Sequence, residues 1–98
     1  MREYLQTPAQ LAAKGKLLGD FAPGTTYSGF MDKARASGVP NPTLGLAITF
    51  KPGMHFLEET AYPITVDEWA QFLADVPAYC TATPKVYVVD GGLYTMPI

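Results

Sequence analysis

Apolar residues recur along this chain at two spacings, one typical of helices and one typical of strands. Helical spacing and helix-ending residues predict helices near residues 8–18, 26–37 and 66–76. Short apolar runs bounded by glycine or proline predict strands near residues 43–51, 54–62, 85–90 and 93–97. The chain therefore alternates between the two classes, with two helices ahead of the first strand.

The third helix has the strongest local signals. Thr65 and Glu68 have the spacing of a capping box, and Ile64 and Trp69 occupy the two positions of a hydrophobic staple. Pro77 ends the helix. We expect its broad apolar stripe to lie in the core: Val66, Trp69, Phe72, Leu73 and Val76.

The first two helices have clear boundary signals. Thr7, Pro8 and Gln10 suit the start of the first helix, and Gly19 is predicted to end it. In the second helix, four residues form one apolar face: Tyr27, Phe30, Met31 and Ala34. Gly38 and Pro40 then close it.

From residue 43 the apolar period becomes two, which predicts a half-buried strand followed by a hairpin turn at Pro52 and Gly53. The register depends on the loop length. If those two residues alone form the loop, Phe50 faces His55, whereas one further loop residue makes Phe50 face Phe56. The pattern leaves both registers open.

Gly91 and Gly92 predict a tight turn in a second hairpin. In that hairpin one face would consist of Tyr87, Val89, Tyr94 and Met96. The opposite face is apolar as well, so both sides require cover. Either the helices cover both faces of the sheet, or a partner binds these four residues; we take them as the candidate partner-binding residues.

These elements predict one α+β domain spanning residues 1–98, in the order α-α-β-β-α-β-β. The simplest assembly is a four-stranded, mostly antiparallel sheet made of two hairpins, with helices packed on one face.

Composition adds the main functional clue. Only 16% of the chain is charged although 48% is hydrophobic, and it contains six Tyr, five Phe and four Met. An ordinary soluble domain has about 25% charged residues. We therefore expect some aromatic and methionine side chains to remain exposed and to meet another protein.

The charges are segregated: six of the seven basic residues lie in residues 1–51, and six of the nine acidic residues lie in 52–98. The basic half is too dilute for nucleic-acid binding, but the segregation favours docking between the two halves or head-to-tail contact between copies. No apolar run reaches the roughly 20 residues of a membrane span. The first six residues lack the apolar region of a secretory signal. With a lone cysteine, Cys80, this predicts a cytoplasmic protein.

Residues suited to catalysis are few. Cys80 and His55 have no third group nearby in sequence to form a nucleophilic set. His55 with Glu58 or Glu59 falls short of a structural zinc site, and the two glutamates lack a second tuned acid. We therefore predict no cofactor, no metal and no enzymatic activity.

Three functions remain in competition. The first is a protein-interaction module, such as a small adaptor, inhibitor or assembly subunit, of the kind often encoded by phages or mobile elements. It would bind a protein partner or form a homodimer. The second is a small-ligand site between sheet and helices, lined by Trp69, Tyr62 and His55. The third, a small enzyme, would depend on His55, Cys80 or the pair Glu58 and Glu59.

Overall fold

The computed structural model describes residues 7–54 and 59–91. The helices are α1 (Pro8–Lys14), α2 (Tyr27–Ala36) and α3 (Val66–Asp75), and a 3-10 turn, Val76–Tyr79, follows α3. The strands are β1 (Lys16–Asp20), β2 (Pro42–Thr49), β3 (Glu59–Pro63) and β4 (Lys85–Asp90).

The strands form one antiparallel sheet in the order β1-β4-β2-β3. Three helices accompany it, so the predicted α+β class with a four-stranded antiparallel sheet is confirmed. β4 lies inside this sheet, between β1 and β2. Because of this central position, both edges of β4 are paired and only its two faces can be accessible.

Side-chain caps begin the helices where the sequence predicts. The Thr7 hydroxyl accepts from the Gln10 backbone N–H, and Thr65 and Glu68 form the predicted capping box. Thr26 caps α2 by accepting from the backbone N–H of Gly29. Because these caps satisfy N–H groups that have no partner within the helix, they fix the helix starts locally.

The predicted helix over residues 8–18 is wrong in its second half, where the chain forms β1. Lys16 and Leu17 pair with Val88 and Tyr87 of β4. Antiparallel pairing with a distant strand therefore overrides the helical spacing of the leucines. Gly19 does not end a helix: it lies at an irregularity in the ladder, with φ at +154°.

Gly15 makes the sharp change from helix to strand possible. A Cβ atom there would lie 2.5 Å from the Val88 carbonyl oxygen and 2.5 Å from Cγ1 of Val89. Both distances are far below van der Waals contact. Only glycine allows the chain to turn this close to β4.

The helices cover both faces of the sheet rather than the one face expected from the sequence. α2 and α3 pack on a large core that includes Phe21, Phe30, Trp69 and these sheet residues: Leu44, Leu46, Ile48, Val86 and Val88. α1 lies on the opposite face, where Leu11 packs with Ala47, Ala61 and Val89. The sequence left open whether helices or a partner cover this face of β4. At Val89 the cover is a helix of the protein itself, α1.

The hairpin of β2 and β3 has neither predicted register. Thr49 pairs with Glu59 and Ile48 with Thr60, so residues 50 and 58 would lie opposite each other if the register continued. Met54 lies in a bend, residues 55–58 lie outside the described part, and β3 is described from Glu59 to Pro63. Phe50 forms an antiparallel bridge with Cys80.

The predicted strand 93–97 lies outside the described residues. A turn at Gly91 and Gly92 would pair Tyr87 with Met96, but Tyr87 already pairs with Leu17 on one side and with Gly45 on the other. The Gly91 N–H donates to the Asn41 carbonyl at 2.9 Å, which joins the end of β4 to the start of β2.

Candidate interaction surface

An exposed apolar pair lies on the α1 side of the sheet. Leu17 is 57% exposed and sits opposite Tyr87 in the β1–β4 ladder, where Tyr87 is half-buried. Directly paired residues of adjacent strands share one face. We call these two residues the Leu17–Tyr87 surface.

A cleft adjoins this surface on the same face, and Tyr87 forms part of its wall. It has an empty volume of about 500 Å³ and is lined by Pro8, Ala47, Thr49, Ala82, Thr83, Lys85 and Tyr87. Lys85 forms an ion pair with Asp20, and both side chains are about half exposed. The charge at the edge of the cleft is therefore largely compensated.

The predicted partner-binding residues do not share one accessible surface. Tyr87 is accessible, but Val89 has no exposed area and packs with Leu11 of α1. Tyr94 and Met96 lie outside the described residues, so their role stays a prediction.

The two strands at the edges of the described sheet have features that discourage strand addition. β1 is short, begins with Lys16 and has an irregular ladder between Leu17 and Gly19. β3 begins with Glu59 and ends with Pro63. Short length, charge, proline and bulges all oppose edge-to-edge pairing. Contact through the face around Leu17 is therefore favoured over contact through these edges.

Cys80 is buried, and its thiol donates to the Val76 carbonyl at 3.1 Å. Burial raises the pKa of the Cys80 thiol, and the nearby positive charge of Lys51 offsets this only in part. A thiol with a raised pKa is protonated near neutral pH and is a poor nucleophile. These properties suit a structural cysteine.

The native protein is expected to react slowly with a thiol reagent at pH 8, and the protein in urea is expected to react fast. Because the pKa of the thiol is higher in the folded than in the unfolded protein, the folded protein holds the proton more tightly. The contribution of this thiol to the free energy of unfolding is therefore fully present below the unfolded pKa of about 8.5, and it is lost as the pH rises from that value through the folded pKa. Thiol titration and unfolding at several pH values measure both effects. Cys80→Ala should lack this loss of stability, and equal reaction rates in the folded and unfolded protein would contradict burial.

The other candidate residues do not assemble into a catalytic or metal site within residues 7–54 and 59–91. Glu59 is exposed at the start of β3, and His55 and Glu58 lie outside these residues. No group of three or more metal-ligating side chains occurs in this part of the chain. Trp69 is buried in the main core, and only the backbone of Tyr62 is described.

A second depression lies at the start of α2. It has an empty volume of about 430 Å³ and is lined by Gly24, Thr25, Thr26, Gly29, Phe30 and Lys33. The Thr26 hydroxyl already accepts from the Gly29 N–H, and the Lys33 ammonium lies 5.1 Å from the centre of the Phe30 ring. Its polar groups are thus partly engaged by the protein itself.

Comparison with known proteins gives no match: no family model, curated protein or solved structure is significantly similar to this chain. Among the described residues, no helix has both the length and the apolar character needed to cross a bilayer.

Sequence reasoning missed Leu17 as a surface residue because it placed Leu17 in the first helix. The adjacent leucines at 17 and 18 were the available signal. In a strand, neighbouring side chains point to opposite faces. Here Leu18 packs against the main core and Leu17 is exposed on the other face.

Proposed function

We propose that this chain is a non-enzymatic protein-interaction module that binds its partner through the Leu17–Tyr87 surface. The partner is another protein or a second copy of the chain. The observation that carries the proposal is the exposure of Leu17, at 57%, beside a half-buried tyrosine on a sheet face that α1 covers only in part.

The chemistry of the surface supports protein binding. Leucine exposed to water beside tyrosine supplies apolar area that association would bury. Tyrosine is enriched in protein interfaces, where its ring contributes apolar contact and its hydroxyl a hydrogen bond. The low content of charged residues, 16% against about 25% in an ordinary soluble domain, agrees with a surface that is less charged than usual.

Two features support a role without catalysis. The thiol of Cys80 is buried, with a pKa raised by that burial, and the described candidate carboxylate, Glu59, is exposed on a strand. A module of this size would serve as a small adaptor, inhibitor or assembly subunit in the cytoplasm.

Small-ligand binding is the second candidate function. The depression at the start of α2 is favoured over a site at Trp69, because Trp69 is buried whereas the depression is open and about 430 Å³ in volume. The enclosed cavity volume within it is about 230 Å³, which is below the usual range of roughly 300–1,000 Å³ for small-molecule sites, so a ligand bound there would be small. Native mass spectrometry of the purified protein would detect such a ligand as added mass.

Leu17→Glu is expected to reduce recovery of the specific partner at least about tenfold, since a charge would be buried at the contact without compensation. The measurement is quantitative affinity capture from cell extract with the wild-type and variant chains in parallel. Met54→Glu is the matched control, because Met54 is also an exposed apolar residue, at 48%, but lies in the loop after β2.

The pattern across the variants decides the outcome. Proteins retained by wild type and Met54→Glu but lost with Leu17→Glu would support the proposal. Equal recovery with all three chains would contradict binding through the Leu17–Tyr87 surface.

A further inference from the structure

The sheet face that carries the Leu17–Tyr87 surface also carries an ion pair. Asp20 lies opposite Lys85 in the ladder of β1 and β4, just as Leu17 lies opposite Tyr87. Lys85 and Tyr87 are two residues apart on one strand, and both line the cleft on the α1 side. The two cross-strand pairs therefore form neighbouring rows on one face of the sheet.

The irregularity in β1 places Asp20 on this face. Leu17 and Asp20 are three residues apart, a separation that puts side chains on opposite faces of a regular strand. Between Leu17 and Gly19 the register shifts, so β1 has one residue more than β4 over this stretch. The extra residue brings Asp20 back to the side of Leu17, where it pairs with Lys85.

All four side chains of the two rows reach solvent. Leu17 is 57% exposed and Tyr87 is half-buried, and the side chains of Asp20 and Lys85 are 56% and 46% exposed. The face thus combines an apolar row with a row that holds one negative and one positive charge. We call these four residues the two-row surface.

The two-row surface matches itself when a second copy is turned about a two-fold axis. If the axis runs parallel to the strands, midway between β1 and β4, the two positions of each cross-strand pair change places. Leu17 then faces Tyr87 of the second copy, and Asp20 faces its Lys85. One axis produces all these contacts because both rows cross the same two strands, and the charges that meet have opposite signs.

The position of α1 leaves room for such a contact. Its one buried residue, Leu11, packs with residues of β2, β3 and β4. The side of α1 next to the cleft carries Pro8, which lines the cleft, and Ala12, which lies one turn later and is exposed. In the two-fold arrangement β1 of the second copy lies over β4, beside these small side chains.

We propose that the chain forms a two-fold dimer in which the two-row surfaces of two copies stack face to face. This rests on the proposed function and identifies the partner as a second copy of the chain. A second copy supplies an apolar row and both charges in the register that the surface requires. Because the same surface is used on both sides, the contact closes at two copies and does not grow.

Charge reversal at the ion pair tests which residues meet across the contact. The Asp20→Lys chain carries two positive charges in this row, and the Lys85→Glu chain carries two negative charges. Each variant alone would bring like charges together and is expected to associate at least about tenfold more weakly than wild type. An equimolar mixture brings opposite charges together, so we expect a heterodimer about as tight as the wild-type dimer.

Sedimentation equilibrium over a range of concentrations measures each dissociation constant. The wild-type mass is expected to approach twice that of the monomer and to rise no further. Native mass spectrometry of the mixture identifies the heterodimer, because the two variant chains differ in mass.

The ion pair between Asp32 and Arg35 provides the matched control. It is also exposed, with a nitrogen–oxygen distance of 3.0 Å, but it lies on α2, which packs on the opposite face of the sheet. Asp32→Lys and Arg35→Glu are expected to dimerise like wild type, alone and mixed.

Circular dichroism checks that every variant is folded. If a charge reversal in the two-row surface prevents folding, Leu17→Glu carries the test, with Met54→Glu as its control. Leu17→Glu is expected to weaken the dimer at least about tenfold, because its charge would face Tyr87 of the second copy.

A wild-type chain that stays monomeric up to about 0.1 mM would overturn the dimer. So would a mixture of Asp20→Lys and Lys85→Glu that associates no better than either variant alone, or control variants that weaken association equally. The proposed function has separate outcomes. Capture of a different protein that requires Leu17, by a chain that stays monomeric, supports the module and excludes the dimer; finding neither a dimer nor such capture contradicts both.

Discussion

Replacing Trp69 with alanine is expected to lower the free energy of unfolding by about 3–5 kcal/mol, the usual cost of removing a large buried aromatic side chain. The indole ring lies 4.8 Å from the Phe21 ring in an edge-to-face arrangement and also contacts the rings of Tyr27 and Phe30. Its N–H donates to the Thr25 carbonyl at 3.4 Å. One substitution would therefore remove contacts between α3, α2 and the loop that joins β1 to α2.

Urea unfolding followed by far-ultraviolet circular dichroism measures this effect, because the variant lacks the only tryptophan. Thr65→Ala is the comparison within the same helix and is expected to cost about 1 kcal/mol through loss of the cap. Similar losses for the two variants would contradict a central role of Trp69 in the core. If Trp69→Ala does not fold, Trp69→Phe provides a milder test with the same order of effects.

Leu11→Ala is expected to lower the free energy of unfolding by about 2–5 kcal/mol and to loosen α1 from the sheet. Leu11 is fully buried and is the one residue of α1 that is buried. It packs with Ala47, Ala61 and Val89, so its removal leaves small side chains that cannot fill the space.

Thermal unfolding and binding of a fluorescent apolar dye measure the two parts of this prediction. Leu17→Ala deletes the same atoms from a leucine that is 57% exposed, and its expected cost is below about 1 kcal/mol. Dye binding should rise for Leu11→Ala alone. Equal destabilisation by the two variants would mean that α1 does not depend on Leu11.

Sequence patterns predicted the elements that local chemistry determines. Thr65 and Glu68 cap α3 three residues apart, and the predicted ends of α2 and α3 differ from the observed ends by at most one residue. β4 was predicted with the observed bounds, Lys85–Asp90, from its run of β-branched residues. In each case the deciding residues are close together in the chain.

Strand pairing was not predictable in the same way. Leu11 and Leu18 have the spacing of one helical face, yet residues 16–20 form β1 and pair with β4. An ion pair between these two strands joins Asp20 to Lys85, which lies 65 residues further along the chain. The pair Gly91 and Gly92 gave a strong local hairpin signal, but the neighbours of β4 come from elsewhere in the sequence. The pattern of residues in a single sequence does not specify which of several distant strands will pair with each other.

The accessibility of the predicted partner-binding residues also depends on segments that are distant in the sequence. Tyr87 has the expected accessible position, and Val89, two residues later on the same face, is buried by α1. Predicting that difference requires knowing where α1 docks, which depends on the turn at Gly15. Leu17 became a candidate only once β1 was recognised as a strand.

The position of β4 has a consequence for synthesis on the ribosome. β1 and the hairpin of β2 and β3 emerge first, but neither can join the other until β4 inserts between them. Pairing between distant segments is slow because a long loop must close before contacts form. A nascent chain that ends before residue 85 therefore exposes apolar strand faces, and we expect it to depend on chaperones until the middle strand has been made.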